Sequence, residues 1–149
     1  MKLPTIALTL LASVLSATAQ SAFIRTPANG SAISRGTNTT VQVTKPNSLT
    51  GSTSVALAIG LRSCEPSTTS PSPSCLSIPS DEFFGYVAYT GPFAPVYHET
   101  ALPPYQNLTV YVPQGFAQGT AVLSIAHFVL VGAGPETILD VSNVTVTVV

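Results

Sequence analysis

The chain has 149 residues, only 7% of them charged, and a formal net charge of −1 at pH 7. Because soluble domains usually carry charge on about 25% of their residues, this chain offers no basic surface for nucleic acid or for anionic membrane. Its length corresponds to one domain that can bury its own core.

Residues 1–19 have the pattern of a secretory signal peptide. Lys2 supplies a positive start, residues 6–15 form a mostly apolar run, and Ala17 and Ala19 provide the small residues that precede a cleavage site. We therefore expect residues 1–19 to be removed and residues 20–149 to form a single secreted domain. No later stretch is apolar over the length that crosses a bilayer, so no membrane anchor is predicted.

Stretches of β-forming residues follow one another along the rest of the chain, separated by clusters of Gly, Pro, Asn and Ser. Strands are predicted at 23–25, 39–45, 55–61, 83–89, 107–112, 120–131 and 141–149. No segment has the pattern of an amphipathic helix. This spacing predicts an all-β fold, an immunoglobulin-like antiparallel β-sandwich of about seven strands.

Alternation in the strand at 55–61 assigns its residues to two faces. Val55, Leu57, Ile59 and Leu61 share one face, and Ala56, Ala58 and Gly60 form a nearly flat opposite face. The first set is predicted to face the core.

Cys64 and Cys75 are the only cysteines of the chain. In an oxidising extracellular compartment they are expected to form one disulfide, which would close a loop rich in Ser, Thr and Pro. In the chain-entropy description such a short loop closure stabilises a fold by about 3 kcal/mol. A redox role would require the closer Cys-x-x-Cys spacing.

Four N-glycosylation sequons occur in the chain, and in a secreted protein each is a candidate acceptor that must lie at the surface. They begin at Asn29, Asn38, Asn107 and Asn143. We expect only some of them to be used.

His127 lies in the longest apolar strand, on the same predicted face as Leu123, Ile125 and Val129. Since both faces of this strand are apolar, it is predicted to be central, with a buried, neutral His127 that has one ring nitrogen bonded to a nearby carbonyl. No serine lies in a Gly-x-Ser-x-Gly turn, and the chain lacks the α/β pattern to which that turn belongs. We predict no catalytic residue and no enzymatic activity.

His98 and Glu99, together with Asp81 or Glu82, are the candidate ligands for a surface metal site. Two histidines without a spaced acidic or cysteine cluster are weak support for such a site, and Asp81 and Glu82 are typical of a polar turn. We expect no metal and no cofactor.

The connection from Thr90 to Tyr105 is long and rich in proline, and long ordered loops often carry function. Its aromatic side chains could contact a protein or stack on sugars. Tyr97, His98 and Tyr105 are therefore predicted to contact a partner. A carbohydrate- or cell-wall-binding module that uses exposed tyrosines is the alternative to a protein-binding role.

Three segments carry a resemblance to a known family. They are GFAQGTAVLSIAHFVLVGAG (115–134), NVTVTV (143–148) and NSLTGSTSVALAIGLRSC (47–64). They resemble the fungal necrosis-inducing secreted protein family of NIS-type effectors over most of the chain after the signal peptide.

The resemblance implies a small secreted effector without enzymatic activity of its own. Such proteins are associated with necrosis in plants and with suppression of pattern-triggered immunity, through binding and inhibition of plant receptor-like and receptor-like cytoplasmic kinases. The expected protein is a monomer that acts in the host apoplast or inside the host cell. The resemblance supplies no catalytic residues, and it assigns His127 to a core strand.

Overall fold

The computed structural model describes residues 21–48, 50–66, 75 and 78–149. The predicted signal peptide, residues 1–19, lies outside these ranges. Eight strands are described: β1 (Phe23–Thr26), β2 (Ala32–Ile33), β3 (Asn38–Thr44), β4 (Ser52–Ser63), β5 (Tyr86–Gly91), β6 (Tyr105–Tyr111), β7 (Gly119–Val131) and β8 (Glu136–Val148). The described chain is thus all-β, as the alternating sequence pattern predicts.

The strands form two sheets. The smaller has the order β1-β3-β6, and the larger has the order β2-β8-β7-β4-β5. β2 runs parallel to β8, and the other pairs are antiparallel. One sheet curls into a half-barrel, and the finer immunoglobulin-like arrangement stays a prediction.

Two differences between predicted and observed strands have local causes. β2 was not predicted, because two residues are too few to show alternation. The strand predicted at 83–89 begins only at Tyr86, because Gly85 has a φ of +75° and turns the chain just before it.

The core lies between the facing sides of the two sheets. Alternate residues of the central strands supply it, as period-two side-chain placement requires. Its largest enclosed side chains include Leu57, Ile59, Leu61, Leu123, Ile125, Val41, Val43, Val112, Val146 and Val148.

The prediction that Val55 faces the core is wrong, because its side chain is 53% exposed. The register between β4 and β7 shifts between Ser54 and Ala56, so one extra residue is accommodated there as a bulge. From Leu57 onward the predicted alternation holds. The bulge brings Ser54, instead of Val55, into contact with His127 of β7.

Arg62 fastens the segment that follows the disulfide onto the outer face of β4. Cys64 and Cys75 are bonded to each other, as predicted. The guanidinium group of Arg62, which is 5% exposed, donates to the carbonyl oxygens of Cys75 (2.6 Å), Ile78 (2.8 Å) and Phe83 (2.9 Å). Gly60 leaves room for the ring and the backbone of Phe84 on this face.

Candidate functional site

The segment from Tyr97 to Pro104, here called the 97–104 loop, is closed at its base by backbone hydrogen bonds. Val96 and Tyr105 form an isolated antiparallel bridge, with N–H···O distances of 3.2 Å and 3.0 Å. Because its two ends are paired, the segment is a compact surface loop and not an extended connection. Pro103 and Pro104 restrict its return path to Tyr105.

Side-chain contacts fix the orientation of the loop's aromatic and acidic groups. The Tyr97 hydroxyl donates to Oδ1 of Asn47, which lies after β3. The ring of His98 stacks on Tyr105, with 4.4 Å between centroids and an interplanar angle of 31°. The Tyr105 hydroxyl donates to Oε1 of Glu99 at 3.1 Å.

The predicted contact residues differ in accessibility. Tyr97 is 60% exposed, and His98 is also exposed, whereas Tyr105 is only 8% exposed. Tyr97, His98, Glu99 and Thr100 line an open concavity of about 390 Å³. The loop therefore presents Tyr97 and His98 outward, while the buried Tyr105 ring packs against His98.

The Glu99 carboxylate has no ion-pair partner among the described residues. Among the described residues, no Lys, Arg or His nitrogen lies within 4.0 Å of its carboxylate. Burial, and then the hydrogen bond to Glu99 and its charge, raise the pKa of Tyr105, with a smaller opposing effect from Arg25. The Tyr105 hydroxyl thus stays protonated and keeps donating to Glu99.

His127 belongs to a second polar cluster, which is partly buried, and its ring bonds a hydroxyl instead of the predicted carbonyl. Its ring is fully enclosed, with Nε2 3.0 Å from the Ser54 hydroxyl and the ring of Phe93 packed edge-on at 5.1 Å. Lys45 Nζ lies 3.2 Å from the same hydroxyl. Asp140 Oδ2 lies 4.0 Å from Nδ1 and accepts a hydrogen bond from the backbone N–H of Ala22.

These contacts give the cluster one consistent direction of hydrogen bonding. If Lys45 donates to Ser54, Ser54 can donate to Nε2 of a neutral His127, which leaves its proton on Nδ1 facing Asp140. Burial, and then the positive charge of Lys45, lower the pKa of His127, with Asp140 opposing them. The combination of Ser, His and Asp resembles a hydrolase triad, but the enclosed imidazole and the 4.0 Å gap to Asp140 fit a structural role better.

The other residues singled out from sequence lie apart from the loop. Asp81 and Glu82 are exposed in the turn after Pro79, where the Glu82 N–H bonds the Pro79 carbonyl at 3.2 Å. Within the described ranges, no group of three His, Cys, Asp or Glu side chains is arranged to hold a metal ion. Nor does any helix described there have the length and hydropathy to span a bilayer.

All four sequon asparagines lie within the described residues and are exposed. The Asn29 Oδ1 accepts from the Thr145 N–H at 2.9 Å, and the Asn143 Nδ2 donates to the Ser80 hydroxyl at 3.0 Å. Surface location agrees with glycosylation, which stays a prediction at all four asparagines.

Sequence reasoning missed two members of the loop cluster. Asn47 lies far from Tyr97 in sequence, and nothing in its turn marks it as a hydrogen-bond acceptor for a tyrosine. Glu99 was considered only as a metal ligand, although a carboxylate within an aromatic segment is also a signal for binding cations.

The chain was compared with models of known protein families and with curated proteins. A family model described as the Nis1 family matches residues 17–147. No curated protein matches the chain.

Proposed function

Since the chain belongs to the Nis1 family, we propose that it is a secreted, non-enzymatic fungal effector. In this proposal it suppresses plant pattern-triggered immunity, or induces necrosis, by binding immune receptor-like kinases. The observation that carries the proposal is the family match across residues 17–147, which agrees with the resemblance of the three segments quoted above.

Extracellular delivery is supported by three features of the chain. The N-terminal sequence has the pattern of a signal peptide. The Cys64–Cys75 disulfide is a bond that persists in oxidising compartments, and four sequons have exposed asparagines.

Protein contact is supported by the 97–104 loop. Exposed aromatic side chains held in one orientation lose little conformational entropy on binding, and tyrosine is enriched among residues that dominate interfaces. Tyr97 combines 60% exposure with an anchored hydroxyl. A role without catalysis is supported by the enclosure of His127.

The experiment is an oxidative-burst assay in leaf tissue treated with a microbial elicitor. The protein is produced with and without its signal segment, and expression is verified in both cases. Suppression of the burst supports the proposal, and dependence on the segment identifies the side of the membrane on which the protein acts. An unchanged burst in the presence of well-expressed protein counts against it.

A carbohydrate- or wall-binding module is the alternative, and the exposed ring of Tyr97 is the observation that favours it. The burial of Tyr105 counts against it, since only one ring of the pair is open for stacking. Retention of the purified protein on chitin, glucan or cellulose would favour this second function.

A further inference from the structure

The 97–104 loop combines a free carboxylate with an exposed aromatic ring, and this pair has a specific binding chemistry. A cation gains from an ion pair with a carboxylate and from the negative face of an aromatic ring at the same time. We propose that the concavity formed by Tyr97, His98, Glu99 and Thr100 receives a lysine or arginine side chain of a partner protein. This inference rests on the proposed protein-binding function and adds the chemistry of the contact.

The first argument is the charge of Glu99. Its Oε1 accepts the Tyr105 hydroxyl, which orients the carboxylate without neutralising it. Within the described residues no basic group pairs with it, although Arg25 is near enough to act electrostatically on Tyr105. The acidic charge is thus fixed in place and available to an incoming cation.

The second argument is the fixed aromatic ring. Tyr97 is 60% exposed, and its hydroxyl is held by Asn47 across the connection between β3 and β4. An exposed tyrosine usually rotates freely, but here the hydrogen bond restrains it before any partner arrives. This preorganisation lowers the entropic cost of contact.

The third argument is the support beneath the site. His98 stacks on Tyr105, and the bridge between Val96 and Tyr105 closes the loop. Phe93, which precedes the loop, is 3% exposed and packs against His127. This contact anchors the start of the loop to the core. The loop that forms the concavity is therefore joined at its base to the packed core.

A sugar ligand fits this arrangement less well. Sugars need an open stacking face together with several hydrogen-bonding groups around it, and one face of the Tyr105 ring is covered by His98. The concavity instead offers the exposed rings of Tyr97 and His98 beside the Glu99 carboxylate, which matches the end of a long basic side chain.

The test is an NMR titration of the purified, ¹⁵N-labelled protein with a matched pair of small probes. The probes are N-acetyl-arginine N-methylamide and its neutral isostere N-acetyl-citrulline N-methylamide, with the acetylated lysine amide as a second cation. We expect both cations to give saturable shift changes at Tyr97, His98, Glu99 and Thr100, and citrulline to give weaker ones.

Two variants assign the effect to Glu99. Glu99→Gln can still accept the Tyr105 hydroxyl, so it removes the charge while keeping the loop, and we expect about fivefold weaker arginine binding. Glu82→Gln makes the same charge change on a distant exposed turn and should leave binding unchanged.

Three outcomes would overturn the inference. They are equal binding of arginine and citrulline, unchanged binding by Glu99→Gln, and chitohexaose producing the same shifts in place of the cations. Because the titration contains no kinase and no plant tissue, it can fail while the burst assay succeeds, or succeed while that assay fails. The cation site and the immune function are thus tested separately.

Discussion

At the scale of single residues, the polar cluster around the enclosed His127 ring is the least expected feature of a mostly apolar core. Lys45 comes from the end of the smaller sheet, whereas Ser54, His127 and Asp140 come from three adjacent strands of the larger one. The cluster therefore links the two sheets through hydrogen bonds and charge where apolar packing would be the usual contact. Buried polar groups are tolerated only when they are paired, so the protonation state of His127 matters.

The free energy of unfolding should fall as the pH is lowered below about 6.5, the ordinary pKa of histidine. Burial and the charge of Lys45 lower the pKa of His127 in the folded protein, while the unfolded chain takes up the proton at the ordinary value. The stability contributed by neutral His127 is complete above pH 6.5 and is lost as the pH falls toward the folded-state pKa. Urea unfolding at pH 7.5, 6.5 and 5.5 measures it.

Two variants test whether the pH dependence of stability comes from His127 or from the other histidine, His98. His127→Gln should remove the decrease in the free energy of unfolding between pH 6.5 and 5.5. For one proton this decrease reaches at most about 1.4 kcal/mol per pH unit. His98→Gln, at an exposed position, should retain it. An unchanged slope in His127→Gln would contradict the account.

Arg62→Met should lower the free energy of unfolding by about 3 kcal/mol. The buried guanidinium donates to three carbonyl oxygens of the segment after the disulfide, and methionine fills similar space without donating. Urea unfolding measures the change. Arg25→Met is the control, because Arg25 is exposed on β1 and should change stability by less than about 0.5 kcal/mol. Equal effects of the two substitutions would refute the anchoring role of Arg62.

At the scale of elements, β4 shows why the fold is only partly readable from sequence. Its alternation correctly predicts that Leu57, Ile59 and Leu61 are buried, because period-two placement follows from strand geometry alone. The bulge before Ala56 depends on the register with β7, which is not encoded in the local pattern, so Val55 was misassigned. The nearly flat face predicted around Gly60 is the surface against which Phe84 packs.

Gly60→Ala should therefore destabilise the fold by about 2 kcal/mol. A Cβ at Gly60 would lie 2.3 Å from Cδ1 of Phe84 and 2.5 Å from its carbonyl oxygen, so the backbone before β5 would have to move. Gly51→Ala is the matched control, since a Cβ there has no atom within 4 Å. Urea midpoints of the two variants measure the difference, and a Gly60→Ala protein as stable as Gly51→Ala would contradict the packing described for β4.

The candidate site was also partly predictable. A long aromatic and proline-rich connection marks the loop in the sequence, so Tyr97 and His98 could be named. The burial of Tyr105 and the roles of Asn47 and Glu99 could not, because they depend on the bridge to Val96 and on contacts between residues distant in sequence. Local patterns predict which segments are exposed, and tertiary contacts decide which side chains face outward.

At the scale of the whole molecule, two sheets with few charges are held by a core, one internal polar cluster and one covalent link. The Cys64–Cys75 bond links the end of β4 to Cys75, where the segment that Arg62 holds on the outer face of the larger sheet begins. The covalent and hydrogen-bonded restraints thus act on the same part of the chain.

The double substitution Cys64→Ser with Cys75→Ala should lower the free energy of unfolding by about 3 kcal/mol, because the unfolded chain regains the entropy of an open loop. Urea unfolding under non-reducing conditions measures it. A reducing agent should cause a similar loss of stability in the unsubstituted protein and no loss in the variant. A variant within about 0.5 kcal/mol of the parent would show that the disulfide does not stabilise the fold.

We propose that this Nis1-family chain binds plant receptor-like kinases through its 97–104 loop. The most direct measurement is binding of the purified, oxidised protein to a panel of purified plant immune receptor-like kinase domains, with Tyr97→Ala and Tyr111→Ala as matched variants. Both tyrosines are exposed, at 60% and 47%, but Tyr111 lies at the far end of β6 from the loop. We expect saturable binding that Tyr97→Ala weakens and Tyr111→Ala preserves. No binding to any kinase, or equal binding of the two variants, would contradict the proposal.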